Sequence, residues 1–288
     1  MSIQTAWKAY KSLDSEQKKF LSDQKFEASL GLEAWIAFLT KLTEFDRDAD
    51  SLRKRLMWLG ILTPIFWIVL AIVFRSGTVF WTGVALALVV WFVWWKLRSI
   101  DIPPSLDAFI LPWLTLLRED VEPESEVFLR LDLAGNMAKG KRLDAISGKR
   151  NESGWKLQFF QDPWISGKAL LADGNRLQWD IVDLLRQGKR SKTNARGKTK
   201  WKTKYKLTRS FDVHLTVRGK EYQLDSTSAP AGEFRTGIKT GLKGSVVRVR
   251  NQSVAHTATD TPELVELVQT VSQAYSNISL PPSEKAIG

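Results

Sequence analysis

The chain has 288 residues, enough for one large domain or two modest ones, and a formal charge of +11. It contains no cysteine, which excludes disulfides, thiolate zinc sites, iron–sulfur clusters and cysteine nucleophiles and suits a cytosolic folded portion. The charge is uneven: residues 1–50 carry net −2, 51–100 six cations and no acid, 101–184 net −4, 185–220 thirteen cations and one acid, and 221–288 net −1.

Residues 1–55 read as helices. Leu32, Trp35, Ile36, Leu39 and Leu42 recur at three- and four-residue spacings and form an amphipathic stripe. Trp7, Tyr10, Phe20 and Leu21 offer a second apolar face on which it can pack. "DRDAD" (Asp46, Asp48, Asp50) resembles the start of a calcium loop, but Ser51 stands where the glycine is required and Met57 where the bidentate acid is required. A solvated helix face, or a counterweight to Arg53–Arg55, is the reading it supports.

Residues 56–74 and 76–95 carry no charge, and each run is long enough to cross a hydrocarbon core of about 30 Å as a helix. Arg75, Ser76 and Gly77 join them, so the expectation is a tight two-helix transmembrane hairpin. Arg53, Lys54 and Arg55 before it and Lys96 and Arg98 after it place both flanks in the cytoplasm. Trp58, Trp91, Trp94 and Trp95 are the expected aromatic anchors at the interface. The polar first 55 residues make the first span its own targeting signal, so the expected location is the inner cell membrane, with two spans and both termini cytoplasmic. No ionisable residue lies within the spans, which argues against a pump or carrier. An oligomeric pore lined by Thr63, Thr78 and Thr82 is a second, weaker expectation.

Residues 96–120 read as a linker. Pro103 and Pro104 end the membrane helix, and residues 108–117 are almost wholly apolar but too few to span. The acids Glu119, Asp120, Glu122 and Glu124 would be repelled by an anionic bilayer, so docking on the next domain is expected.

Residues 121–288 read as a β-rich domain. Val127, Leu129, Leu131 and Leu133 alternate with polar neighbours, as half-buried strands do. Trp155, Leu157 and Phe159 share one face. "LLADGNRLQWDI" predicts a hairpin turning at Asp173-Gly174, and "KLTRSFDVHLTVRGKEYQL" a second turning at Arg218-Gly219. "SVVRVR" is a further strand, and "TPELVELVQTVSQAYSNI" a helix with Thr261 and Pro262 at its start. The fold class expected is a membrane-anchored α+β protein: N-terminal amphipathic helices, a transmembrane hairpin, and a C-terminal antiparallel β-sandwich or partly closed barrel with a terminal helix.

"GNMAKGKR" (residues 135–142) fits a P-loop spacing, but Arg142 stands where a magnesium-binding hydroxyl is required, and the strand before it alternates. "GLKG" (residues 241–244) matches a nucleic-acid backbone clamp by pattern alone. His214 and His256 are far apart and make a poor metal set. The sequence predicts no catalytic residue, no cofactor and no metal, and no enzyme.

The basic block is the main candidate site: Arg186, Lys189, Arg190, Lys192, Arg196, Lys198, Lys200, Lys202, Lys204 and Lys206. Residues 186–198 read as a mobile loop. "KTKWKTKYK" then starts a long strand with lysines on one face and Trp201, Tyr205, Leu207, Phe211, Val213, Leu215 and Val217 on the core face. Arg209 is the one exception on that face, and a bulge near it is expected. The lysines could guard an edge strand, lie beside the acids of 101–184, contact anionic phospholipid headgroups, or meet nucleic acid or an acidic protein. Nucleic acid is disfavoured because the pleat points Trp201 and Tyr205 away from the lysines. The functional expectation is an integral membrane protein tethering an interaction domain, acting as scaffold, sensor or accessory subunit. The partners expected are the bilayer and either a protein or a second copy of the chain.

Overall fold

A computed structural model describes residues 3–98, 101–144, 146–148, 151, 154–218, 223–224, 234–241 and 244–279. The chain divides into two compact units, Met1–Gln24 with Ala37–Leu106, and Lys25–Ile36 with Asp107–Gly288.

The first unit is helical. Helix α1 spans Ile3–Ser12 and α2 spans Ser15–Asp23. Asp14 caps α2: its carboxylate accepts from the Gln17 backbone N–H at 2.7 Å, and the Gln17 side chain accepts from the Asp14 N–H at 3.1 Å. Helix α3, Leu32–Phe74, runs unbroken for 43 residues, about 65 Å at 1.5 Å per residue. Its stripe Leu39, Leu42, Phe45 and Ala49 is buried, with Phe38 meeting Phe20 and Phe45 meeting Tyr10. Arg75 and Ser76 turn the chain into α4, Gly77–Arg98.

The two long helices pack as a hairpin. Leu52 and Leu56 meet Val90, Val93, Trp94 and Leu97, and Gly83 sits directly against Trp67. Outside that seam the apolar stretches are open: Ile72 is 71% exposed and Trp81 69%. Neither apolar stretch is therefore packed as a core helix, although both are long and apolar enough to cross a membrane.

The second unit is a seven-stranded antiparallel sheet in the order β1-β2-β3-β4-β5-β8-β7. The strands are β1 Lys25–Gly31, β2 Glu126–Asp132, β3 Lys156–Leu170, β4 Arg176–Thr193, β5 Thr199–Arg218, β7 Arg235–Gly241 and β8 Gly244–Ala255. A separate pair joins β6, Gln223–Leu224, to β9, Ile278–Ser279. One sheet face is apolar, with Leu129, Leu131, Trp179, Ile181, Phe211, Val213 and Val247 fully buried. Helix α5, Leu106–Leu117, covers part of it through Phe109 on Phe211 and Trp113 edge-on to Trp179. Helix α6, Leu264–Tyr275, packs on β5 and β8 with Leu267 buried.

Three expectations change. The sheet is open, neither a sandwich nor a partly closed barrel: helices cover its apolar face, and its other face is polar, so no second sheet is needed. Residues 25–31 are not helical but form edge strand β1, pairing Phe26 with Leu131 and Leu30 with Val127. The second predicted hairpin does not form, because β5 is already flanked by β4 and β8, and Gln223–Leu224 pair with β9 instead. Its expected turn at Gly219 lies outside the described residues. The hairpin at Asp173-Gly174 does form, with Gly174 at φ +77°, in the left-handed region that glycine adopts freely.

Candidate functional site

Strands β4 and β5 are the longest in the sheet, at 18 and 20 residues, and pair in unbroken register from Arg176–Thr216 to Thr193–Thr199. β8 joins β5 only from Leu207 onward, and β3 joins β4 only as far as Lys189. The remainder, about residues 190–203, projects as a two-stranded ribbon with every residue exposed. The predicted loop over 186–198 is thus mostly strand. Only residues 194–198 turn, with the Asn194 carboxamide oxygen accepting from the backbone N–H groups of Arg196 at 3.1 Å and Lys198 at 2.9 Å. No bulge occurs at Arg209; the irregularity in this sheet is in β3, between Pro163 and Ile165.

Residues directly opposite in an antiparallel pair point to the same face. The register therefore sets Arg186 beside Lys206, Arg190 beside Lys202, and Lys192 beside Lys200, all on one face with Lys204. Lys189 lies on the other face, opposite Thr203, and Arg196 and Lys198 are at the turn. Residues 186–206 hold ten cations and no acid. Among the described residues no carboxylate pairs with any of these ten cations, so the acids of 101–184 do not neutralise them. Like charges directly opposite each other destabilise a pair by several tenths of a kcal/mol, roughly 0.2–1.

The rest of this sheet face contrasts with the ribbon. Asp212 accepts from Arg248, Arg250 and His214, the last at 3.3 Å. Burial pushes its carboxyl up, but the hydrogen bonds from Arg248, His214 and Arg250 outweigh that and hold it well below the usual carboxylate range.

Trp201 points away from the lysine face, opposite Ser191, as the period of two requires. It is not buried, however, but 76% exposed, because no strand or helix reaches it. Tyr205 is half-buried and accepts from the Gln187 carboxamide at 3.2 Å. The core face begins at Leu207.

An aromatic ring that packs beside these cations is Trp155, grouped in the sequence with Leu157 and Phe159, of which Phe159 lies directly opposite Arg186. Gly188 stands opposite Lys204, and the Trp155 indole packs on the bare Gly188 backbone. The Lys204 ammonium lies 5.5 Å from the centre of that ring. Around them is a cavity of about 360 Å³ reached also by Arg186, Lys206 and His256, with no acid among the described residues of its wall. The legible signal was Gly188, an isolated glycine within a strand, which marks close approach of another group. A larger apolar groove of about 690 Å³ lies between α5 and α6, rimmed by Glu119, Asp120 and Asp173, with no cation among its described lining residues.

The other predicted groups fall as follows. Lys141, the lysine of the P-loop-like run, is buried between Asp132 at 2.9 Å and Asp162 at 2.6 Å and is not presented to a ligand. Asp46 and Asp50 converge with Asp101 on Arg53, whose guanidinium contacts all three. Burial raises the Asp46 carboxyl despite that neighbour. Arg53 is thus buried among acids rather than free at an interface, whereas Lys54, Arg55, Trp58, Trp91, Trp95, Lys96 and Arg98 are exposed. Trp94 is half-buried, with the Arg98 guanidinium 5.4 Å over its ring. His214 and His256 lie in separate clusters. Gly241 and Gly244 pair across the β7–β8 turn, whose two central residues are outside the described set.

No family model matches the chain, and no match is found among curated proteins or solved structures.

Proposed function

We propose that this chain is an integral membrane protein whose α3–α4 hairpin spans the bilayer and whose sheet unit is an interaction module for an anionic surface. Both termini are cytoplasmic on this reading, by the cations flanking the spans. The observation that carries it is the β4–β5 ribbon: a one-faced ladder of cations with no carboxylate partner among the described residues, projecting beyond the core. Each such cation near an anionic leaflet contributes about 1 kcal/mol.

The absence of cysteine makes the test direct. An Ala195→Cys variant carries one unique label at the exposed turn of the ribbon. In full-length protein reconstituted in nanodiscs, an environment-sensitive dye there shifts to the blue when phosphatidylglycerol replaces phosphatidylcholine. Salt near 0.5 M and the pair Lys200→Glu, Lys202→Glu both abolish the shift. An identical spectrum in the two lipids refutes the reading.

A second reading is favoured by one observation. A two-stranded ribbon fits the major groove of a duplex. Oligonucleotide titration of the same sample, with a steep loss of binding between 50 and 200 mM salt as about 1:1 counterion release requires, identifies that case. An oligomeric pore finds less support, since the Thr82 hydroxyl donates to the Thr78 carbonyl at 2.8 Å within α4.

A further inference from the structure

The cavity beside Trp155 differs from the ribbon tip. At the tip, cations stand in an open row. At the base, Arg186 and Lys206 are directly opposite each other, Lys204 is the next residue along the same face, and His256 closes the far side. A concave site walled by Arg186, Lys204, Lys206 and His256, with no acid among the described lining residues, matches a compact dianion better than a diffuse surface. A phosphate monoester offers three terminal oxygens and a charge near −2 at neutral pH, where a phosphodiester carries only −1. The planar Arg186 fork can take two of those oxygens, and lysine ammonium groups act as point charges on the third. Gly188 and Trp155 set the geometry: without a side chain at 188 the indole seats against the backbone and holds Lys204 over its face.

We infer that this cavity is a binding site for a phosphate monoester, held by Arg186, Lys204, Lys206 and His256. The inference rests on the reading of the ribbon as an anion-binding element and adds a ligand class to its base. The monoester has two sources, a lipid headgroup such as phosphatidate or a free phosphorylated polyol, and the cavity chemistry is the same for both. A site of about 360 Å³ accommodates a glycerol phosphate but not a folded polymer.

The test uses full-length protein in phosphatidylcholine nanodiscs and calorimetric titration with glycerol 3-phosphate. Saturable binding at one site per chain is expected, weakened at least tenfold by Arg186→Gln with Lys206→Gln. Lys192→Gln with Lys200→Gln, at the tip, leaves it unchanged. Arg186→Lys retains part of the affinity, and the melting temperature of each variant reports whether it is folded. Equal affinity for the diester glycerophosphoglycerol, or no saturable binding by a folded protein, overturns the inference.

Repeating the titration in discs with phosphatidate separates the sources. Competition by phosphatidate but not phosphatidylglycerol assigns the lipid headgroup, and its absence assigns the soluble ester. Displacement of glycerol 3-phosphate by oligothymidylate, with both lost in the Arg186/Lys206 variant, overturns the monoester in favour of nucleic acid. The two readings fail separately. Loss of the dye shift with monoester binding intact refutes only the surface reading. The reverse refutes only the cavity.

Discussion

Arg209 and Asp183 form a two-pronged ion pair across β4 and β5, with Nε to Oδ1 and Nη2 to Oδ2 both at 2.7 Å. They are directly opposite in the register and nearly inaccessible, with side chains 6% and 2% exposed. The pair explains why one arginine interrupts an otherwise apolar face. The guanidinium also donates to the Asp260 carbonyl at 2.9 Å and lies 5.8 Å over the Trp164 ring, so its polar edge and flat face are both occupied. Removing one partner strands a buried charge. Arg209→Leu or Asp183→Leu alone should each cost about 3–5 kcal/mol, whereas the double Leu variant should recover most of it. Thermal unfolding of the four proteins in one detergent measures the cycle. A double-variant loss equal to the sum of the two single losses would show that the pair is not coupled.

Asp212 gives a pH dependence of known sign. Its carboxyl is held below the usual range in the folded state, and an unfolded aspartate titrates at about 3.9. The stabilisation is therefore fully present above about pH 5 and lost as pH falls through the unfolded value towards the folded one. Asp212→Asn should lower the melting temperature at pH 7 and flatten its fall between pH 5 and pH 3. A variant profile parallel to the wild type down to pH 3 contradicts this.

Strand alternation made much of the sheet legible: Leu129, Leu131, Trp179 and Phe211 face the core as their period of two requires. Period, however, gives a residue's face and not whether anything covers that face. Trp201 follows the alternation and is still exposed, because β8 stops pairing at Leu207. Residues 186–193 read as a loop since they lack apolar alternation; pairing with 199–206 makes them strand regardless. Residues 25–31 were missed for a related reason. Only seven residues pair there, and they run straight into the helical stripe that begins at Leu32. The cavity at Trp155 needed four separate chain segments to meet, and no local pattern encodes that.

Within the helical hairpin two glycines carry opposite expectations. A Cβ at Gly83 would stand 2.2 Å from the Trp67 Cβ, so even alanine forces α3 and α4 apart. At Gly60 the nearest atom, in the Trp91 ring, is 3.5 Å away, an ordinary contact. Gly83→Ala should destabilise the protein by about 1–3 kcal/mol, the usual range for overpacking, and Gly60→Ala should be nearly neutral. Melting temperature and monodispersity in mild detergent distinguish them. Equal tolerance at both sites would mean that the two helices do not pack along this seam.

The ribbon separates stability from binding in a way that few sites allow. Arg190 with Lys202 and Lys192 with Lys200 are like-charged pairs directly opposite each other. Lys200→Glu with Lys202→Glu turns both into opposite-charge pairs, which should stabilise the ribbon by about 0.2–1 kcal/mol per pair. Amide exchange at 190–202 should slow, while docking on anionic nanodiscs is lost. Salt should act on the two proteins in opposite directions. It screens repulsion in the wild-type ribbon and slows its exchange, and it screens attraction in the variant and speeds it. Should the variant exchange faster than wild type at low salt, repulsion across these pairs is not what limits the ribbon, and the cation ladder carries no stored cost for an anion to relieve.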